Sequence, residues 1–190
     1  MHTARFPPEM ARTALIVIDV LNPYDHEDAE KLADSAAEQL PQMVELRDRA
    51  ARADDTLTLF VNDNHERWQD TREDLIRSAL DGRRPELVEP LLPDKDAPFI
   101  AKGRHSIFYQ TSVDHLLQVE KIERVVLCGQ VTEQCIQYSA LDAYMRGFEV
   151  SVPSDAVAHI EPEWARAALE MMAGNMHADL TSVADGALTD

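Results

Sequence analysis

Cys135 closes the run Gly129-Gln130-Val131-Thr132-Glu133-Gln134-Cys135, which follows directly on Arg124-Val125-Val126-Leu127-Cys128. A short β-branched run ending in glycine predicts a buried strand that meets a sharp turn. Thr132 is a candidate N-cap, which puts Cys135 in the first turn of the helix that follows. Free backbone N–H groups and the positive end of the helix dipole favour a thiolate there, and a nearby cation lowers a thiol further. An ionised sulfur beside backbone donors suits acyl transfer. A small apolar residue packing a helix start accounts for the same segment equally well. Two other apolar runs end in groups that could serve a nucleophile: Thr13-Ala14-Leu15-Ile16-Val17-Ile18 leads to Asp19, and Phe99-Ile100-Ala101 leads to Lys102. In a parallel α/β sheet, sites form outside the carboxyl ends of the strands, so these three side chains are expected on one edge. Taken singly, Asp19 reads as a turn-starting carboxylate and Lys102 as a solvated strand end. Their joint occurrence with Cys135 favours a site.

The elements that must position these groups alternate along the chain. Residues 13–19 read as a strand, and 25–53 carry a helical pattern with Pro41 inside it, where a kink or break is expected. A second strand spans 56–62. A looser stretch, 63–98, contains a helical piece at 72–80. The Lys102 strand follows, then a helix at 111–120, the strand at 124–128, and a nucleophile helix at 133–146 closed by Gly147. A fifth strand at 148–152, a last helix opened by Pro162 and an edge strand at 180–183 complete the pattern. Strand–helix alternation of this kind predicts a doubly wound, mostly parallel sheet in a three-layer α/β/α sandwich. At 190 residues the chain has room for one domain, with its core over about 13–183.

Three motifs together resemble the isochorismatase-like cysteine hydrolases, a family that includes nicotinamidases and N-carbamoylsarcosine amidases. They are Leu15-Ile16-Val17-Ile18-Asp19, Lys102-Gly103-Arg104-His105-Ser106-Ile107-Phe108, and the Gly129–Cys135 run, the last being the most specific. The resemblance implies that Asp19 is the general base, that Lys102 holds the carboxylate and the sulfur in one network, and that Cys135 is the nucleophile. It also implies an oxyanion hole made by the backbone N–H groups of Val131 and Cys135, with a cis peptide between Gln130 and Val131. The expected reaction is hydrolysis of a C–N bond of amide type in a small metabolite, through a thioester on Cys135. Vinyl-ether hydrolysis of isochorismatase type is the alternative within the family, although members specialised for it often lack the cysteine. A thiol redox sensor or binding protein on the same scaffold is the alternative outside catalysis.

Nicotinamidases carry Asp-x-His after the second strand, with further histidines downstream, and hold a divalent metal there. Asp63 and His65 have that spacing, but no histidine lies between His65 and His105. The register shifted by one, with Asn62 and Asn64 at the ligand positions, is preferred, and neither metal nor cofactor is expected. Asn62, Asn64, His65 and Trp68 are then expected to line the pocket mouth or fix the loop. His105 and Phe108 are further candidates for substrate contact; with aromatics only 6% of residues, Trp68 and Phe108 stand out as walls for a planar substrate.

Lysine and arginine number 18 against 35 aspartates and glutamates, a formal charge of −17 that disfavours nucleic acid and anionic membranes as partners. The opening segment from Met1 to Pro8 lacks an apolar signal core, and two cysteines are too few for a secreted disulfide framework, so a cytoplasmic location is expected. A homodimer or higher homo-oligomer is expected, with Met171, Met172 and Met176 of the last helix at the contact.

Overall fold

The computed structural model describes residues 12–188, so the reading of Met1 to Pro8 lies outside the described residues. Among the described residues, six strands form one parallel sheet: β1 (Arg12–Ile18), β2 (Thr56–Asp63), β3 (Phe99–Lys102), β4 (Ile122–Gln130), β5 (Glu149–Ser151) and β6 (Val157–Ala158). The order is β3-β2-β1-β4-β5, with β6 pairing the carboxyl end of β4 beyond β5. The helices are α1 (Ala29–Arg52), α2 (Arg72–Leu80), α3 (Pro85–Val88), α4 (Val113–Val119), α5 (Gln137–Met145) and α6 (Pro162–Met176).

β1 is buried on both faces, and its alternating side chains divide between two cores. Leu15 and Val17 join Leu32, Leu46 and Leu75 on the side of α1 and α2, whereas Ala14, Ile16 and Ile18 join Leu117, Ile136 and Met172 on the other. Fully burying a side chain such as Ile16 or Ile18 contributes roughly 1.5–3 kcal/mol, so the position of the central strand is strongly determined. From β1 the chain steps outward to β2 and β3, then returns to the opposite side of β1 for β4. The crevice at this reversal of direction, between the carboxyl ends of β1 and β4, is where α/β sheets place ligands.

Gly129 is what allows these two ends to meet. It pairs with Ile18, has φ +111°, and a Cβ added to it would lie 2.1 Å from the Ile18 carbonyl oxygen. No side chain fits there.

Several local expectations are corrected. α1 runs unbroken through Pro41, because Pro41 and Ala37, whose carbonyl loses its partner, both face solvent. No strand forms over 180–183; the only pairing there is a single bridge between Ser151 and Asp179. Met172 and Met176 are core residues, leaving Met171 as the exposed member of that trio. The outward apolar stripe lies instead on α5, where Tyr138, Leu141 and Met145 recur at three- and four-residue spacing.

Candidate active site

Asp19 is the first residue beyond β1 and adopts the left-handed conformation, φ 56°, which aspartate tolerates better than most residues. Its N–H still donates to the Val61 carbonyl at 2.9 Å, while its side chain turns toward the crevice. Lys102 ends β3 in register with Asp63 of β2. Its stem crosses the end of β2, and its ammonium reaches Asp19 Oδ2 at 2.8 Å, Asp63 Oδ2 at 3.3 Å and Cys135 Sγ at 3.4 Å. The Lys102 side chain has no solvent exposure. Burial by itself pushes an ammonium toward neutrality, but Asp19, Cys135 and Asp63 more than reverse this and hold Lys102 above the ordinary lysine value.

Cys135 sits in a single wide turn, Thr132–Ile136, closed by the bond from Ile136 N–H to the Val131 carbonyl five residues earlier. Turns of this kind recur at functional sites because they re-aim one side chain. The Gln130–Val131 peptide is cis. The Val131 N–H donates to no acceptor among the described residues. Thr132 is not the expected N-cap: its hydroxyl donates to the Ala158 carbonyl at 2.9 Å, tying the turn to β6.

The charge state of the sulfur also departs from expectation. Burial and the Asp19 carboxylate raise the Cys135 thiol, and Lys102 offsets this only in part. The resting group is therefore a thiol that must give up its proton during reaction, rather than a standing thiolate. Cys128, on the opposite face of the sheet, is pushed up to about 12 by burial alone.

Asp63 belongs to this cluster in a way the preferred register, with Asn62 and Asn64 at the key positions, did not foresee. Its backbone N–H donates to Asp19 Oδ1 at 2.6 Å, and its carboxylate is the second anion on Lys102. The Asp-x-His spacing was the sequence signal for it. Asn62 turns the other way, its amide exchanging hydrogen bonds with the Leu21 backbone at 2.9 and 3.2 Å. Asn64 accepts from the Glu66 N–H, so both asparagines fix loops. Gln130 and Tyr24 also escaped notice. The Gln130 amide donates to the Asp19 carbonyl at 2.6 Å and accepts from the Tyr24 hydroxyl at 3.2 Å, locking the β1 and β4 ends together.

The remaining candidates separate cleanly. His105 brings Nδ1 to 3.6 Å from Cys135 Sγ and stacks on Tyr138 with ring centroids 5.5 Å apart. Trp68, 74% exposed, lies over Gly103, the residue after Lys102, so close that a Cβ there would meet its ring at 2.5 Å. His65 is exposed, its Nδ1 4.0 Å from Asp63 Oδ1. Phe108 is corrected to a packing residue: it is buried, stacks on Phe148 and lies under the Arg146 guanidinium at 4.5 Å. A cavity of about 500 Å³ lined by Asp54, Thr56, Thr58 and Pro98 lies at the amino edge of β2 and β3, away from this chemistry.

A metal does not suit these residues. Asp63 Oδ1 accepts the His65 N–H at 2.7 Å and Oδ2 faces the Lys102 ammonium, so both oxygens are engaged and a cation already sits beside them. Among the described residues no group of three His, Cys, Asp or Glu side chains is arranged to hold a metal ion. No helix among the described residues is long and apolar enough to cross a membrane.

In sequence and in fold the chain is similar to known proteins. The family model for the isochorismatase domain matches residues 13–185. The isochorismatase family protein YaaI of Bacillus subtilis is 26% identical over 172 residues, 90% of this chain and 94% of that protein. The nicotinamidase of Escherichia coli is 32% identical over 97 residues, 50% of this chain and 43% of the enzyme. In fold, the chain is similar to an isochorismatase-like hydrolase from Alkaliphilus metalliredigens, with a TM-score of 0.73 and 24% identity over 92% of this chain and 96% of that one.

Proposed function

The chain belongs to the isochorismatase family, whose members are hydrolases, and from that premise we propose that it cleaves a C–N bond of amide type in a small metabolite through a thioester on Cys135. The observation that carries the reading is the convergence of Asp19, Lys102 and Cys135 at the carboxyl edge of the sheet. In this mechanism the thiol proton passes to Asp19 as sulfur attacks the carbonyl carbon. Lys102, 2.8 Å from Asp19 Oδ2 and 3.4 Å from Sγ, stabilises the sulfur as it ionises. The developing oxyanion is received by the N–H groups of Val131 and Cys135. Asp19 returns its proton to the departing amine, and water then releases the acid.

A sulfur held beside an ammonium and a carboxylate supports a nucleophilic role over vinyl-ether chemistry, for which a thiol is not required. The redox reading is disfavoured because Cys135 is 7% exposed and its thiol is raised, whereas a sensor needs an accessible, low-pKa sulfur. The proposed partners are a small-molecule substrate and, through the α5 stripe, a second copy of the chain; the proposed location is the cytoplasm.

The test is a panel of primary amides, carbamoyl compounds and isochorismate, assayed with the wild type and Cys135→Ala. Ammonia release by the wild type and none by the variant is expected. Turnover of any amide by Cys135→Ala would overturn the mechanism.

A further inference from the structure

The cluster accounts for the buried side of the sulfur and leaves His105 unexplained. Asp19 and Lys102 approach Cys135 from within, and the Asp19 side chain is only 13% exposed. His105 also reaches this sulfur, is itself exposed, and presents Nδ1 at 3.6 Å.

Its position is held, not incidental. The ring stacks on Tyr138, three residues beyond Cys135, with an interplanar angle of 27°. The loop carrying His105 is tied to α5 by two side-chain bonds. Ser139 Oγ accepts the Ile107 N–H at 3.1 Å, and the Ser106 hydroxyl donates to Asp142. The imidazole is therefore anchored to α5, the helix that continues directly from the Cys135 turn.

We propose that His105 is a catalytic residue of the second half-reaction, the base and acid for thioester hydrolysis; this rests on the thioester reading above. Water comes to an acyl group on Cys135 from solvent, where the imidazole is exposed and the Asp19 side chain is largely buried. As the water oxygen bonds to the thioester carbonyl carbon, His105 Nδ1 takes its proton. The tetrahedral oxyanion then collapses, the C–S bond breaks, and the departing sulfur receives that proton from the same Nδ1. Thioester and water become carboxylic acid and thiol, and the imidazole returns to its starting form. Two proton-transfer groups thus serve one sulfur: Asp19 for the amine that leaves, His105 for the water that arrives.

The probe is p-nitrophenyl acetate, whose leaving group needs no proton, followed by nitrophenolate absorbance and intact-protein mass. His105→Gln should retain a burst approaching one equivalent and accumulate an acetyl adduct mapping to Cys135. Steady-state turnover should fall about 100-fold, the usual scale for losing one acid–base group. kcat and KM should fall together with kcat/KM held, since acylation is intact. Added imidazole should restore deacylation in His105→Ala, which a purely structural role would not permit. Deacylation of His105→Gln at the wild-type rate, or no rescue by imidazole, overturns the proposal. Absence of any Cys135 adduct in both proteins overturns the thioester reading instead, and this inference with it.

Discussion

Replacing Lys102 by methionine removes one charge while keeping most of the buried volume, so it isolates the electrostatics of the cluster. The ammonium lies 3.4 Å from Cys135 Sγ. At an effective dielectric of about 20, a unit charge at that distance stabilises a thiolate by about 5 kcal/mol, or about 3.5 pKa units. The whole amount will not be seen. Water entry and local relaxation where the ammonium stood offset part of it. A net fall of about 100-fold in thiolate population is expected, and with it about a 100-fold slower reaction of Cys135 with iodoacetamide near pH 8. The assay is alkylation under pseudo-first-order conditions with mass mapping, each variant first checked for native circular dichroism. Unchanged or faster alkylation of Cys135 in Lys102→Met would refute the argument that Lys102 is what holds the sulfur within reach of ionisation.

Asp19→Asn should do the opposite to the thiol and worse to catalysis. It removes the anion that raises Cys135, so alkylation should quicken while amide turnover falls about 100-fold or more; slower alkylation would contradict the charge assignment. Urea unfolding of the same variant should show a loss of about 3 kcal/mol, the low end for breaking a buried pair, because Asp63 still faces Lys102 at 3.3 Å. Stability should also fall in alkali. The Cys128 thiol ionises near 9 in the unfolded chain and near 12 in the fold, so above pH 9 the unfolded state binds fewer protons and gains. Lys102 acts in the same sense, since a raised ammonium contributes fully below its unfolded value and is lost as pH rises through the folded one. Between pH 8 and 10 the wild type should lose about 1.4 kcal/mol more than Cys128→Ala in paired urea titrations, and equal slopes would count against this. Gly129→Ala should fail to fold or lose at least about 3 kcal/mol, because its Cβ would meet the Ile18 carbonyl at 2.1 Å; near-wild-type stability would mean that the β1 and β4 ends are not so tightly held.

Much of this architecture was legible from local pattern. A continuous apolar run as short and β-branched as Thr13 to Ile18 reads as a doubly buried strand, and Pro162 or Gly147 marks a helix end by backbone geometry alone. Strand ends carrying Asp19 and Lys102, together with a turn carrying Cys135, pointed to one shared edge, because parallel strands joined by right-handed crossovers all point the same way. What the pattern could not supply was direction and environment across the sheet. Whether Asn62 or Asp63 faces the cluster depends on which residue lies in register with Lys102, and adjacent strand residues point to opposite faces. Helix-start position argued for a thiolate at Cys135, yet the burial that raises it comes from elements far apart in sequence. The Thr132 hydroxyl was a capping candidate in sequence, whereas in the fold it donates to the Ala158 carbonyl of β6. Phe108 and the last-helix methionines were ambiguous for a related reason: an apolar side chain looks the same in sequence whether it faces substrate, a second copy or the core. His105 was one loop histidine among several, and only the fold brings its ring to within 3.6 Å of the sulfur, 30 residues along the chain.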